Sequence, residues 1–192
     1  MYGDTEVLPK SEDLPTRPLS PYAVSKLAGE HLMRNFSSLY GLETLALRYF
    51  NVFGPKQDPT SQYAAVIPNF ITAAIRNETP TVHGDGEQTR DFCFIDNVVA
   101  ANLGAMTTKK KLSGEVVNIA CGERISLNQL LDILGDEVGH RIERKYTEPR
   151  AGDVRDSLAD ISRAQELIGF DPKVRVREGL KKTFAAFKTF TK

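Results

Sequence analysis

The feature that most constrains the fold is a helix followed directly by a short apolar strand, between residues 20 and 50. Ser20 is a typical helix N-cap, Pro21 suits the first helical position, and Gly41 is typical of a helix C-terminus. Apolar residues recur at helical spacing between these ends, which predicts a helix over Tyr22–Tyr40. The next run, 43–50, is short and mostly apolar, which is typical of a strand buried on both faces of a parallel sheet. The pair therefore predicts an α/β fold.

Further helices and short strands continue this pattern to the end of the chain. Ser126 and Gln129 have the spacing of a capping box, which marks the start of one of these helices. Strands are predicted at 80–83 and 115–120. The other predicted helices are Ala64–Arg76, a helix that Asp96 caps and that runs to Met106, Ser126–Val138, Ile161–Ile168 and Arg177–Phe190.

Charge and composition exclude several classes of protein. Twenty-five basic residues balance twenty-five acidic ones, so the chain lacks the positive charge of a general nucleic-acid binder. No apolar stretch approaches the ~18 residues that span a bilayer, and residues 1–6 lack the segments of a signal peptide. Cys93 and Cys121 lie in apolar runs and are predicted to be buried thiols in a reducing, cytoplasmic setting. His31 and His140 have no partner at ligand spacing, so no metal site is expected.

Tyr22 and Lys26 are the first candidate catalytic residues. They are four residues apart on the predicted helix, so their side chains share one face. An ammonium group beside a phenol stabilises the phenolate, which can exchange a proton with a substrate hydroxyl. Taken alone, the spacing is more typical of a surface tyrosine beside a solvated lysine.

The sequence around this pair resembles the extended short-chain dehydrogenase/reductase family, and within it the NAD-dependent nucleotide-sugar epimerases and dehydratases. The pattern is most similar to that of the UDP-N-acetylglucosamine 4-epimerases, and the resemblance extends over essentially the whole chain. The segments that carry it, in order, are 20–30, 47–55, 57–59, 64–68, 84–92, 118–120, 149–155 and 157–164.

The resemblance implies a role for individual residues. It makes Tyr22 the acid/base residue, with Lys26 as its partner and as a ligand of the nicotinamide ribose, and it places Tyr49 near the nicotinamide. Arginine suits a diphosphate because its guanidinium group can bind in a bidentate fork, and a carboxylate suits a sugar diol. The implied substrate-binding residues are Asn51, Ala65, Val66, His83, Arg90, Arg150, Asp153 and Ser157, the last of which leaves room for an N-acetyl group.

The resemblance also implies a fold, a cofactor and a reaction. We expect the C-terminal part of a Rossmann-type parallel sheet with a small substrate-binding lobe. Residues 1–58 then form the remnant of the dinucleotide-binding domain and 59–192 the lobe, with strand 115–120 joining the first sheet. The implied reaction is C4 epimerisation of a UDP-hexose or UDP-N-acetylhexosamine through a transient 4-keto sugar, with NAD as the cofactor. The Gly-rich turn and the Ser/Thr of the catalytic triad precede these residues in the family, so we expect the isolated chain to be inactive.

Three other interpretations stay open. In the first, the chain is a non-catalytic UDP-sugar-binding module, and in the second it is a portion of a nucleotide-sugar 4,6-dehydratase. In the third, it is a product without a stable fold, in which strand 43–50 lies at an open sheet edge. A UDP-sugar is the expected ligand, with neither nucleic acid nor membrane as a partner. Helix 22–40 is expected to pair either with a second copy or with a separately encoded N-terminal half.

Overall fold

The computed structural model describes residues 1–3, 5–58, 66–150 and 154–190. The helices are α1 (Pro21–Tyr40), α2 (Val66–Arg76), α3 (Ile95–Thr107), α4 (Leu127–Val138), α5 (Ser162–Ile168) and α6 (Val176–Phe190). The strands are β1 (Leu45–Tyr49), β2 (Val52–Phe53), β3 (Thr81–His83), β4 (Thr89–Arg90), β5 (Cys93–Phe94), β6 (Glu115–Ile119), β7 (Ile125–Ser126) and β8 (Lys145–Thr147). The prediction of an α/β fold is confirmed.

Both ends of α1 are set by local sequence, as predicted. The Ser20 hydroxyl accepts a hydrogen bond from the Ala23 amide at 3.2 Å, and Pro21 occupies the first turn. Gly41 ends the helix with φ of 68°, a left-handed conformation that glycine adopts without strain. The predicted capping box of Ser126 and Gln129 is also present at the start of α4.

The predicted sheet around β1 is confirmed, but its predicted burial is wrong. β1 and β6 are parallel, with Leu45 opposite Glu115 and Tyr49 opposite Ile119, so the 115–120 segment joins the sheet of the first strand. The residues of β6 after Glu115 are fully buried, whereas the β1 residues are half-buried or exposed. The reason is that β6 is the only paired neighbour of β1 within the described residues, so the other edge of β1 lacks a described strand.

Other differences from the predicted elements have local causes. Asp96 is not an N-cap: α3 begins at Ile95, and Asp96 lies in its first turn, where the helix dipole favours a carboxylate. Residue 64, the predicted start of α2, lies outside the described residues. The sequence patterns also missed the short strands β2, β4, β5, β7 and β8, because two or three residues are too few to show a period.

Two hydrophobic cores hold these elements together. One lies between the β1–β6 sheet and α3 and α5, and the other is built mainly by α2, α4 and α6. Cys93 and Cys121 are buried, free thiols of the first core, as predicted. Within the described residues no helix combines the length and the apolar character that a membrane span requires. The proposed division of the chain after residue 58 stays a prediction.

Candidate functional site

Three adjoining cavities in the described part of the chain share lining residues and so form one groove. The Val66 cavity has a volume of about 390 Å³, the central cavity about 420 Å³, and the Ser157 cavity about 450 Å³. His83 and Arg150 line both the Val66 cavity and the central cavity. Arg90 lines both the central cavity and the Ser157 cavity. The groove therefore places two arginine residues between two compartments, each large enough for part of an elongated ligand.

Arg90 lies at the junction of the central cavity and the Ser157 cavity because β4 carries it there. Its Nη1 donates hydrogen bonds to the carbonyl oxygens of Thr89 at 3.0 Å and Arg155 at 2.8 Å. These bonds hold the guanidinium group against the chain segment that forms one wall of both cavities. A planar guanidinium with five N–H donors in this position suits a bidentate anion such as a diphosphate.

His83 and Arg150 line the central cavity with Arg90. The Nδ1 atom of His83 lies 3.0 Å from the hydroxyl of Thr147, a contact that joins β3 to β8. Arg150 follows β8 and is exposed, so its side chain can reach an anion in the groove. Arg90 and Arg150 therefore line a common cavity.

The Ser157 cavity joins the end of β1 to the start of α1. Asn51 and Ser157 line it, together with Ser20 and Ala23 from the first turn of α1. The side-chain amide of Asn51 donates to the carbonyl oxygen of Asp91 at 2.9 Å, which fixes its orientation. Ser157 contributes only a small side chain to the wall of this cavity.

Tyr22 and Lys26 lie together on α1; Ala23 lines the Ser157 cavity, whereas neither Tyr22 nor Lys26 is among its described lining residues. The Lys26 Nζ is 5.2 Å from the centre of the Tyr22 ring, so the two side chains share one helix face as the spacing predicts. Tyr22 is 64% exposed and directly precedes Ala23, which forms part of the cavity wall. Tyr49 lines the cavity, and its hydroxyl donates to the side-chain oxygen of Asn102 at 3.1 Å.

Two predicted site residues cannot be placed. Ala65 and Asp153 lie outside the described residues. Val66 is described and lines the Val66 cavity. The assigned roles of all these residues stay predictions.

Asp91 is a residue that the sequence patterns missed. Its buried carboxylate accepts hydrogen bonds from three backbone N–H groups, those of Cys121 at 2.9 Å, Gly122 at 3.2 Å and Ala159 at 3.1 Å. It therefore ties the end of the strand that carries Arg90 to two loops, one of which carries Ser157. The sequence signal that could have identified Asp91 is its place directly before the apolar run 92–94. A carboxylate buried with that run needs hydrogen-bond donors as partners.

Asp91 is expected to make stability depend on pH. Burial raises the pKa of its carboxyl to about 6, against the opposing effect of the three backbone hydrogen bonds. The folded state therefore binds a proton more tightly than the unfolded state, and this contribution to stability is present below pH ~4 and lost as the pH rises through ~6. We expect the unfolding free energy of the wild type, relative to that of Asp91→Asn, to fall by roughly 1–3 kcal/mol between pH 4 and pH 7.

Urea titrations at the two pH values measure this difference. Asp136→Asn is the control, because Asp136 is exposed on α4. A difference that stays constant or grows with pH would contradict the assigned environment of Asp91.

Comparisons with known proteins match this chain to a portion of longer chains. Residues 1–120 match the sequence model of the NAD dependent epimerase/dehydratase family. A putative UDP-glucose 4-epimerase of Methanocaldococcus jannaschii is 42% identical over 182 residues, which is 95% of this chain and 58% of that protein.

Solved structures show the same fold. One is a UDP-N-acetylglucosamine 4-epimerase of Methanobrevibacter ruminantium in complex with UDP-N-acetylmuramic acid, with a TM-score of 0.92, 40% identity, and coverage of 98% of this chain and 60% of that one. Another is a UDP-glucuronic acid 4-epimerase of Bacillus cereus with UDP-glucuronic acid and NAD, with a TM-score of 0.89, 34% identity, and coverage of 98% and 59%. The chain thus spans about 60% of the length of the proteins that it matches.

Proposed function

Since this chain belongs to the NAD dependent epimerase/dehydratase family, we propose that it is the substrate-binding portion of an enzyme that inverts C4 of a UDP-hexose or UDP-N-acetylhexosamine. The observation that carries this proposal is the single cavity that Arg90 and Arg150 both line, which continues into the Ser157 cavity. Two guanidinium groups beside a second compartment suit a ligand whose diphosphate joins a nucleoside to a sugar.

The groove gives each part of such a ligand a place. The nucleoside lies in the Val66 cavity with His83 at its wall, and the diphosphate lies between Arg90 and Arg150. The sugar then enters the Ser157 cavity, close to the first turn of α1, which carries Tyr22. Because Ser157 is small, an N-acetyl group on the sugar meets no bulky side chain at position 157, so the N-acetylhexosamine is the favoured substrate.

The proton transfer at the sugar is assigned to Tyr22 and Lys26. As phenolate, Tyr22 accepts the proton of the C4 hydroxyl and later returns it, while the ammonium group of Lys26 stabilises the phenolate. Arg90 and Arg150 hold the diphosphate while the sugar turns over between the two proton transfers.

The residues present fit one end of NAD. The phenol and the ammonium of Tyr22 and Lys26 can hydrogen-bond the hydroxyls of the nicotinamide ribose, beside Tyr49. NAD, when bound, supplies the acceptor and donor of the C4 hydride. The sequence contains no Gly-x-Gly-x-x-Gly turn for the pyrophosphate. That end is assigned to another polypeptide segment, and the isolated chain is expected to be inactive.

The first helix is the proposed surface for that segment. No residue of α1 is fully buried, and its apolar side chains Leu32, Phe36 and Leu39 are exposed. The edge of β1 beside it has no paired strand among the described residues. An exposed apolar face beside an open strand edge is typical of a protein interface.

Calorimetric titration of the isolated chain with UDP-N-acetylglucosamine, and then with NAD⁺, tests the proposal. We expect the nucleotide sugar to bind without NAD⁺. Arg90→Ala is expected to weaken it about 10- to 100-fold, because the loss of charge-assisted hydrogen bonds costs roughly 1.5–3 kcal/mol. Arg177→Ala is the control, since Arg177 forms an exposed ion pair with Asp136 away from the groove.

The outcomes separate the interpretations. Binding of neither ligand would contradict the proposal, as would an Arg90→Ala affinity equal to that of the wild type. Turnover by the isolated chain would show that the expected inactivity is wrong.

A further inference from the structure

Arg155 and Asp85 face each other at the wall of the central cavity, and the function proposed so far does not use them. The Arg155 Nη2 donates to the Asp85 Oδ2 at 3.1 Å, and both residues line the cavity that Arg90 and Arg150 line. The two side chains are 67% and 54% exposed. An anion that enters the cavity therefore meets an ion pair that solvent already reaches.

The Asp85 side of this pair is fixed. The Asp85 Oδ1 accepts a hydrogen bond from the Glu87 amide at 2.9 Å, and its carbonyl oxygen accepts one from the Asn128 side chain at 3.1 Å. Gly86, with φ of 77°, packs so closely that a Cβ atom there would lie 2.4 Å from the Asn128 Oδ1. The loop is thus held against α4, and Asp85 keeps a hydrogen-bond donor when Arg155 leaves.

The Arg155 side is fixed only at its backbone. The carbonyl oxygen of Arg155 accepts hydrogen bonds from the Thr89 amide at 3.1 Å and from the Arg90 Nη1 at 2.8 Å. The side chain beyond it is long and exposed, and an exposed ion pair contributes little to stability. The guanidinium group can therefore change partner without any change in the backbone that positions Arg90.

We propose that Arg155 is a third guanidinium of the diphosphate site and that Asp85 competes with the diphosphate for it. The inference rests on the proposed function and extends its binding site. A diphosphate carries more negative charge than one carboxylate and also attracts Arg90 and Arg150, so it is the stronger partner once it is bound. Asp85 thus lowers nucleotide affinity and keeps Arg155 at the cavity wall until the ligand arrives.

This competition predicts that substitutions of Arg155 and of Asp85 change the affinity for UDP in opposite directions. Arg155→Ala removes a diphosphate contact and should weaken UDP binding about 3- to 10-fold, with a smaller effect on UMP. Asp85→Asn keeps an oxygen for the Glu87 amide but removes the competing charge, so it should tighten UDP binding about 2- to 5-fold. Arg177→Ala and Asp136→Asn, which alter an exposed ion pair of similar geometry, should leave the affinity unchanged.

Calorimetric titrations with UDP and UMP, on variants whose thermal unfolding matches that of the wild type, make the test. Opposite signs for Asp85→Asn and Arg155→Ala support the proposal. Weaker UDP binding in both variants shows that the ion pair only braces the wall, and unchanged binding in either variant also overturns the competition. If the wild type does not bind UDP, or if Arg90→Ala binds it equally well, the proposed function fails together with this inference.

Discussion

Tyr22→Phe is expected to lower turnover about 10²- to 10⁴-fold, the usual contribution of a positioned general acid/base. The assay requires a complete enzyme, such as a chimera in which the preceding segment of the Methanocaldococcus jannaschii relative is joined to this chain. Phenylalanine keeps the aromatic ring beside Lys26 and loses only the hydroxyl, so the affinity for UDP-N-acetylglucosamine should not change. With NAD⁺ at saturating concentration, the effect is expected in kcat, because the hydroxyl is assigned to the reacting proton and not to the affinity for the UDP-sugar.

Tyr40→Phe is the matched control at the other end of α1. Tyr40 is 70% exposed, and the Tyr40→Phe variant should leave turnover unchanged. A Tyr22→Phe enzyme with turnover within a few-fold of the parent would reject the role of Tyr22. A chimera that turns over no UDP-sugar would count against the epimerase assignment itself.

Arg48→Ala is expected to cost about 3–5 kcal/mol of unfolding free energy, because it leaves a buried carboxylate without its partner. The Arg48 guanidinium donates from Nε and Nη2 to the two Glu30 oxygens, each at 2.8 Å, and the side chains are only 8% and 10% exposed. Its Nη1 donates to the Tyr2 hydroxyl at 2.8 Å, and that hydroxyl donates to Asn118 at 2.5 Å. This network ties α1 to β1 and β6 one turn after Lys26.

Burial and hydrogen bonding have opposite effects on the charged state of Arg48. Burial alone would lower the pKa of Arg48, but the hydrogen bonds to Glu30 and Tyr2 outweigh it and hold the pKa above its ordinary value. The double variant Arg48→Met, Glu30→Leu removes both charges and should lose much less stability than Arg48→Ala. Lys110→Ala, which breaks an exposed pair with Glu166, should cost no more than ~1 kcal/mol. Urea unfolding checks all three, and an Arg48→Ala cost as small as that of Lys110→Ala would contradict the account.

Local sequence patterns predicted the elements whose stabilising contacts lie within a few residues of one another. The caps of α1 and α4 could be predicted because Ser20, Gly41 and Ser126 satisfy backbone groups within their own turns. The half-burial of β1 could not, because an apolar strand shows its propensity but not which neighbours are present to cover it. The short strands β4 and β7 depend on a pairing between residues far apart in the sequence, which no local period reveals.

The same division holds for the candidate site. Tyr22 and Lys26 could be predicted because one helical turn brings them together. Arg90 and Arg150 were predicted only through the family resemblance, since their common cavity depends on the packing of β3, β4 and β8. Asp91 and the Arg155–Asp85 pair were missed, because their partners lie 30 to 70 residues away and a single carboxylate or arginine in a sequence does not indicate its partner.

A crystal structure of this chain soaked with UDP-N-acetylglucosamine tests the central claim most directly. The account predicts diphosphate oxygens within hydrogen-bond distance of the Arg90 and Arg150 guanidinium groups, with the sugar between Ser157 and the first turn of α1. A nucleotide sugar bound outside this groove, or with its diphosphate away from both arginines, would contradict it.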